Sequence, residues 1–178
     1  MSRDKTRRER YDLKAESFSG IPLIIATVNF KFDDNIAFLI RSAACFGVSR
    51  LLVIGSVPDR GDVNSKSGSL FDYVDIEKFS SPRDFLDYCQ ENRLSIISAE
   101  ITEGSRSVFD YNFDFSEDTV LVLGNETFGV PTEILLNSDI IHIPMPGVGY
   151  CLNTSQAGTA ILTEYTRRYG AYNEEKTL

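Results

Sequence analysis

The sequence predicts a single α/β domain built on a mainly parallel sheet. Short β-branched apolar runs alternate with amphipathic stretches along the whole chain, the pattern of a sheet covered by helices. The runs are continuous rather than alternating, as expected for strands buried on both faces. No internal repeat or interdomain linker interrupts them, and 178 residues suit one domain.

Residues 21–28 (IPLIIATV) read as the first buried strand. Asp33 or Asp34 is placed to cap a helix running to about Phe46, where Gly47 stops it. Residues 51–54 form a second strand, and 56–69, rich in Ser, Gly and Asp, a loop with about one helical turn. Residues 73–76 are a short strand candidate, and Ser81-Pro82 opens a helix lasting to about Asn92. Further strands are expected over 94–99, 120–123 and 140–143, giving a sheet of about six, with a helix starting near Pro131. The last helix should run from about Thr154 to Tyr169. Residues 1–19 form a polar, basic N-terminal extension, 20–170 the domain, and 171–178 a short tail.

Composition narrows the function. The net charge of −8 argues against a protein that coats nucleic acid through a broadly basic face. The first ten residues run the other way, with Arg3, Lys5, Arg7, Arg8 and Arg10 against Asp4 and Glu9. They read as a solvated, frayed terminus or as an arm that contacts RNA. No apolar run reaches the ~20 residues needed to span a bilayer, and the polar start does not resemble a secretory signal. Cys45, Cys89, Cys151 and a single histidine, His142, cannot form a disulfide framework or a spaced zinc site. A reducing, cytoplasmic location is the expectation.

Several chemistries fail on motif grounds. No glycine fingerprint follows the first strand, whose next residues are Asn29-Phe30-Lys31-Phe32. The glycines of GNETFG at 124–129 have P-loop spacing, but Val130 stands where lysine is required. There is no G-x-S-x-G elbow, and His142 sits inside an apolar strand, where a structural role is expected. What remains is a concentration of special residues in the last third: LVLGNE at 121–126, IPMPG at 143–147 and CLNTS at 151–155. Each lies at a strand end or at the entry to the last helix, where open α/β sheets bind ligands. A fourth segment, 35–47, puts Asn35 and Arg41 on an otherwise apolar helix.

Together these segments read N-x5-R-x-A-x2-F-G, then L-G-N-E-x2-G, then I-P-M followed by L-N-x-S-x-A. In that order and at those intervals they resemble the motifs of the SpoU/TrmH branch of the SPOUT superfamily, over roughly residues 20–169. The resemblance implies an α/β trefoil knot acting as a homodimer, and S-adenosylmethionine-dependent methylation of a ribose 2′-hydroxyl in tRNA or rRNA, without a metal. It implies catalytic roles for Arg41, Asn35, Glu126 and Asn153, with Arg41 activating the ribose hydroxyl. It implies a methyl-donor pocket formed by Leu123, Gly124, Asn125 and Gly129, by Ile143 and Met145, and by Leu152, Asn153 and Ala157. Two residues depart from the pattern. Thr127 replaces the glycine that commonly follows the glutamate, which predicts a stiffer or differently shaped turn. Cys151 stands where serine is usual, and a thiol is a weaker hydrogen-bond donor. These departures motivate an alternative, a catalytically inactive knotted protein that binds RNA. Extra RNA contacts are expected from the basic N-terminus and from Arg167 and Arg168.

Overall fold

A computed structural model of the chain describes residues 5–16 and 20–176; of the expected extension and tail, residues 1–4, 17–19, 177 and 178 lie outside the described part. In chain order the elements are α1 (Arg7–Glu16), β1 (Leu23–Val28), α2 (Asp33–Phe46), β2 (Arg50–Ile54), α3 (Arg60–Val63) and, after a 3-10 turn at Phe71–Tyr73, β3 (Asp75–Phe79). They continue with α4 (Pro82–Glu91), β4 (Ser95–Ala99), β5 (Arg106–Ser107), β6 (Thr119–Leu123), α5 (Thr132–Leu135), β7 (Asp139–His142) and α6 (Thr154–Lys176). The strands form one seven-stranded sheet in the order β3-β2-β1-β6-β4-β7-β5. Every pairing is parallel, with β6 at the centre between β1 and β4.

Alternation along the strands divides the core between the two faces of the sheet. Ile25, Leu51, Val53, Leu121 and Leu123 pack with Ile36, Leu39 and Ile40 of α2 and Ile161, Leu162 and Tyr165 of α6. Ile24, Ala26, Leu52, Val120 and Val122 pack with Phe85 and Cys89 of α4 and Ile134 of α5. Covered on both faces, these strands are apolar at nearly every position, with Thr27 and Thr119 the buried polar exceptions in β1 and β6, which is why their runs are nearly continuous.

Local signals explain most element ends. Gly47 adopts φ 89°, and its amide donates to the Ala43 carbonyl, closing α2. Ser81 accepts from the Asp84 amide and Pro82 occupies the first turn of α4. Four expectations are corrected. Asp33 and Asp34 lie inside the first turn of α2 rather than capping it; its cap residue, Phe32, has no side-chain cap bond. The strand expected at 73–76 begins at Asp75, because the preceding residues form the 3-10 turn. A two-residue strand, β5, raises the count to seven. The last helix continues past Tyr169 to Lys176.

The basic N-terminal segment is helical. α1 has no buried residue; it is held by Arg8, which pairs with Asp72, and by Tyr73, whose hydroxyl donates to Asp12. The last helix, α6, lies across β6 and α2. Gly158 makes this approach possible, since a Cβ there would stand 2.7 Å from Leu123 Cδ1 and 2.8 Å from Leu39 Cδ2. The contact is fixed by Ser42 and Thr159, whose hydroxyls are 2.8 Å apart. It is also fixed by the buried Tyr165, which donates to the Pro22 carbonyl. No helix among the described residues is long and apolar enough to cross a membrane.

Candidate active site

A cavity of about 450 Å³ opens beyond the carboxyl ends of β4 and β6 and beside the start of α6. Its size lies within the usual range for small-molecule sites. All nine residues expected to form a donor pocket line it: Leu123, Gly124, Asn125 and Gly129 from the segment after β6, Ile143 and Met145 after β7, and Leu152, Asn153 and Ala157 around the start of α6. Glu126, Thr127 and Cys151 also line it. The nine expected residues, separated by up to 34 positions along the chain, thus meet in one place because β6 and β7 end there and α6 begins there.

Backbone closeness shapes the floor. Asn125 and Gly129 exchange two backbone hydrogen bonds of 3.0 and 2.9 Å. The Asn125 side chain caps the enclosed turn, its Oδ1 accepting from the amides of Thr127 and Phe128 and its Nδ2 donating to the Asn29 carbonyl. Gly124 packs directly under this turn, so a Cβ there would lie 2.3 Å from the Gly129 carbonyl carbon. Thr127 is not among the residues with positive φ. The turn therefore accepts threonine in place of glycine without backbone strain.

The expected catalytic residues Asn35, Glu126 and Asn153 are joined by one chain of hydrogen bonds. Glu126 reaches across to the start of α2, where its carboxylate accepts from the Lys31 amide (2.8 Å), the Phe32 amide (3.3 Å) and Asn35 Nδ2 (2.5 Å). Here is the cap that Asp33 and Asp34 do not supply. An anion suits this position because a helix start presents unpaired amides and the positive end of the helix dipole. Asn35, buried to 4% exposure, turns its Oδ1 toward Ser155 Oγ at 3.2 Å. Ser155 donates to Asn153 Oδ1 at 2.7 Å, and that oxygen also accepts the Ser155 amide at the start of α6. Ser155 is the link that sequence reading left unassigned.

Burial pushes the Glu126 carboxyl up, but hydrogen bonds from the Lys31 amide, its own amide, Asn35 and Phe32 outweigh this, so its pKa lies below the ordinary glutamate value. A carboxylate with a depressed folded-state pKa stabilises the fold above its unfolded pKa, and the contribution is lost as pH falls through the folded value. Glu126→Gln is therefore expected to lose about 1 kcal/mol near neutral pH, as for other helix caps. The loss should shrink below about pH 4.5, the ordinary value. Urea unfolding at pH 7 and pH 3.5 measures it; an undiminished difference at the lower pH would contradict this role.

Arg41 stands apart. It does not line the cavity; it lies about two turns further along α2 on an exposed stripe with Phe38 and Cys45. Its guanidinium rests over Gly68, 3.6 Å from where a Cβ would be, and makes no hydrogen bond or ion pair within the described residues. Arg168 behaves oppositely. It pairs with Glu164 and donates to the Tyr111 and Phe109 carbonyls, which removes it as a free RNA contact. His142 sits at the end of β7 with Nδ1 3.0 Å from Ser105 Oγ, a structural placement. Among the described residues, no group of His, Cys, Asp and Glu is arranged to hold a metal ion.

Fold and site together define an α/β protein with a ligand cavity beyond the carboxyl ends of its parallel strands. The sequence profile of the SpoU rRNA Methylase family matches residues 22–163, and the chain belongs to that family. It is 32% identical over 170 residues to the "23S rRNA (uridine(2479)-2'-O)-methyltransferase" of Streptomyces viridochromogenes, covering 88% of this chain and 58% of that protein. It is 32% identical over 149 residues to a "tRNA (guanosine(18)-2'-O)-methyltransferase" of Aquifex aeolicus, covering 82% of this chain and 69% of the relative. Among solved structures, the A. aeolicus TrmH/SpoU tRNA modifying enzyme superposes with TM-score 0.79 at 26% identity, covering 93% of this chain and 85% of that one. The SpoU methyltransferase AviRb from S. viridochromogenes, solved in complex with the cofactor AdoMet, gives TM-score 0.71 at 31% identity, covering 86% and 61%.

Proposed function

We propose that this protein transfers a methyl group from S-adenosylmethionine to a ribose 2′-hydroxyl of tRNA or rRNA. The observation that carries the reading is the convergence of three sequence motifs on one cavity that no Lys, Arg or His among the described residues lines. Two carboxylates, Glu100 and Glu126, line it instead, among apolar side chains and glycine backbone. That chemistry fits a nucleoside with net positive charge and disfavours an anionic ligand. When bound, S-adenosylmethionine supplies a methyl group made electrophilic by its sulfonium sulfur.

The chain's own part is to position the donor, exclude water and stabilise charge on the attacking ribose oxygen. In this reading Leu123, Gly124, Ile143 and Leu152 hold the adenosine part, while Asn125, Gly129, Met145 and Ala157 complete the wall. Asn35, Glu126 and Asn153 fix the starts of α2 and α6 against the loop that follows β6. A guanidinium carries donors and no acceptor, so Arg41 acts as an electrostatic stabiliser of the developing alkoxide, not as a base. Calorimetric titration with S-adenosylmethionine tests the reading at its base, since the alternative of an inactive RNA-binding protein needs no donor affinity. A methylation map of total RNA from cells with and without the protein then identifies the target. Arg7 and Arg10 of α1, exposed and without an ion pair among the described residues, support an RNA-contacting arm.

The same reading requires a homodimer. What supports it is that Arg41 lies outside the cavity of its own chain, beside the 45%-exposed Phe38. A second copy would bring Arg41 to the site from across the contact. Light scattering at micromolar concentration is expected to give twice the 20.0 kDa chain mass; a monomer with full activity would overturn it. We also take residues 121–169 to be threaded as a trefoil knot. The return of α6 over β6 and α2 supports this, and a crystal structure in which that segment passes through no loop would refute it. A cytoplasmic location follows from the proposed substrate.

A further inference from the structure

Glu100 follows the last residue of β4 and belongs to none of the sequence motifs, yet it lines the cavity. Two backbone amides fix its carboxylate: Oε2 accepts from Val130 at 2.9 Å and Oε1 from Ile101 at 3.1 Å. A carboxylate offers about four lone-pair sites, so roughly half its accepting capacity is left on a group already held in place. The hold is tight. Gly129 has φ +67°, and a Cβ there would fall 2.2 Å from Glu100 Oε2, so the loop passes the carboxylate at a separation that only glycine permits. The other carboxylate at the cavity, Glu126, is engaged by the start of α2. Glu100 is therefore the anionic acceptor that an entering ligand meets.

Its place in the fold suggests which ligand group it accepts. In dinucleotide-binding sheets an acidic side chain accepts from a ribose hydroxyl in the crevice beyond the carboxyl ends of the strands, and two carboxylate oxygens match the spacing of adjacent hydroxyls. We propose that Glu100 is the specificity residue for the ribose diol of the nucleoside ligand. This inference rests on the methyl-donor reading.

The test compares S-adenosylhomocysteine with its 2′-deoxy and 3′-deoxy analogues, titrated calorimetrically into the native chain and into Glu100→Gln. Hydrogen bonds to a charged group imply that removing at least one hydroxyl weakens native binding roughly 10- to 100-fold. In Glu100→Gln the parent compound should bind more weakly by a comparable factor, and removing that hydroxyl should add no more than about twofold. A deoxy penalty of equal size in both proteins would overturn the proposal and leave Glu100 as a clamp for the 125–129 turn. A native penalty below about twofold for both analogues would overturn it without recourse to any variant, and would point instead to the ligand's ammonium group. If the native chain binds none of the three compounds, the methyl-donor reading itself fails, and the ribose inference with it.

Discussion

Arg41→Ala is expected to abolish methyl transfer while leaving donor affinity nearly unchanged. The guanidinium is exposed, makes no hydrogen bond or ion pair among the described residues and does not line the cavity, so its removal takes nothing from the pocket wall or from the core. A contact made to charge that develops only in the transition state falls on turnover rather than on binding. Losing one such donor costs on the order of 100- to 1000-fold in rate. Asn153→Ala should behave differently. Its Oδ1 accepts both the Ser155 amide and the Ser155 hydroxyl while the residue lines the cavity, so donor affinity and turnover should fall together. Single-turnover rates beside calorimetric affinities separate the two patterns. If Arg41→Ala lost affinity in proportion to rate, Arg41 would belong to the pocket and the assigned role would be wrong.

Gly124→Ala is expected to lose donor binding through geometry alone. The added carbon would stand 2.3 Å from the Gly129 carbonyl carbon and 2.4 Å from the Val130 nitrogen. Both neighbours are backbone, so no rotamer change relieves the contact. The Asn125–Gly129 hydrogen-bonded pair must open, which also moves the Val130 amide away from Glu100. Overpacking of this kind costs about 1–3 kcal/mol, corresponding to roughly 5- to 150-fold if it falls on the ligand-binding form. Native affinity in this variant would show that the turn is not part of the binding surface.

How much of this was legible in the sequence depended on whether the signal was local. Gly47 and Ser81-Pro82 announce helix ends because each acts on neighbouring amides, and the apolar runs announce strands because burial on both faces demands them. Nine of the residues that line the cavity were legible through the resemblance of their segments to the family's motifs; those segments sit at element ends, and parallel strands bring such ends together. Helix α1 escaped because it buries nothing and is held by surface contacts to Asp72 and Tyr73. Strand β5 is two polar residues whose only strand partner among the described residues is β7. The cap of α2 was misplaced onto nearby aspartates because its real source, Glu126, is 91 positions from Asn35. Glu100 left no trace for the same reason: its partner, the Val130 amide, is 30 residues away and carries no side-chain signature.

The order of the strands also determines how the chain must come together. β1 gains its partner β2 early, but its other edge pairs with β6, in the register Leu23 to Thr119. Until that late segment has been synthesised, a buried and largely apolar strand keeps an unpaired side, and α6 has no place to lie. Closing loops of this size before any contact rewards them is slow, so refolding from denaturant should take milliseconds to seconds rather than microseconds. Open strand edges invite pairing between chains. The recovered yield should therefore fall as protein concentration rises, although the finished sheet is covered on both faces.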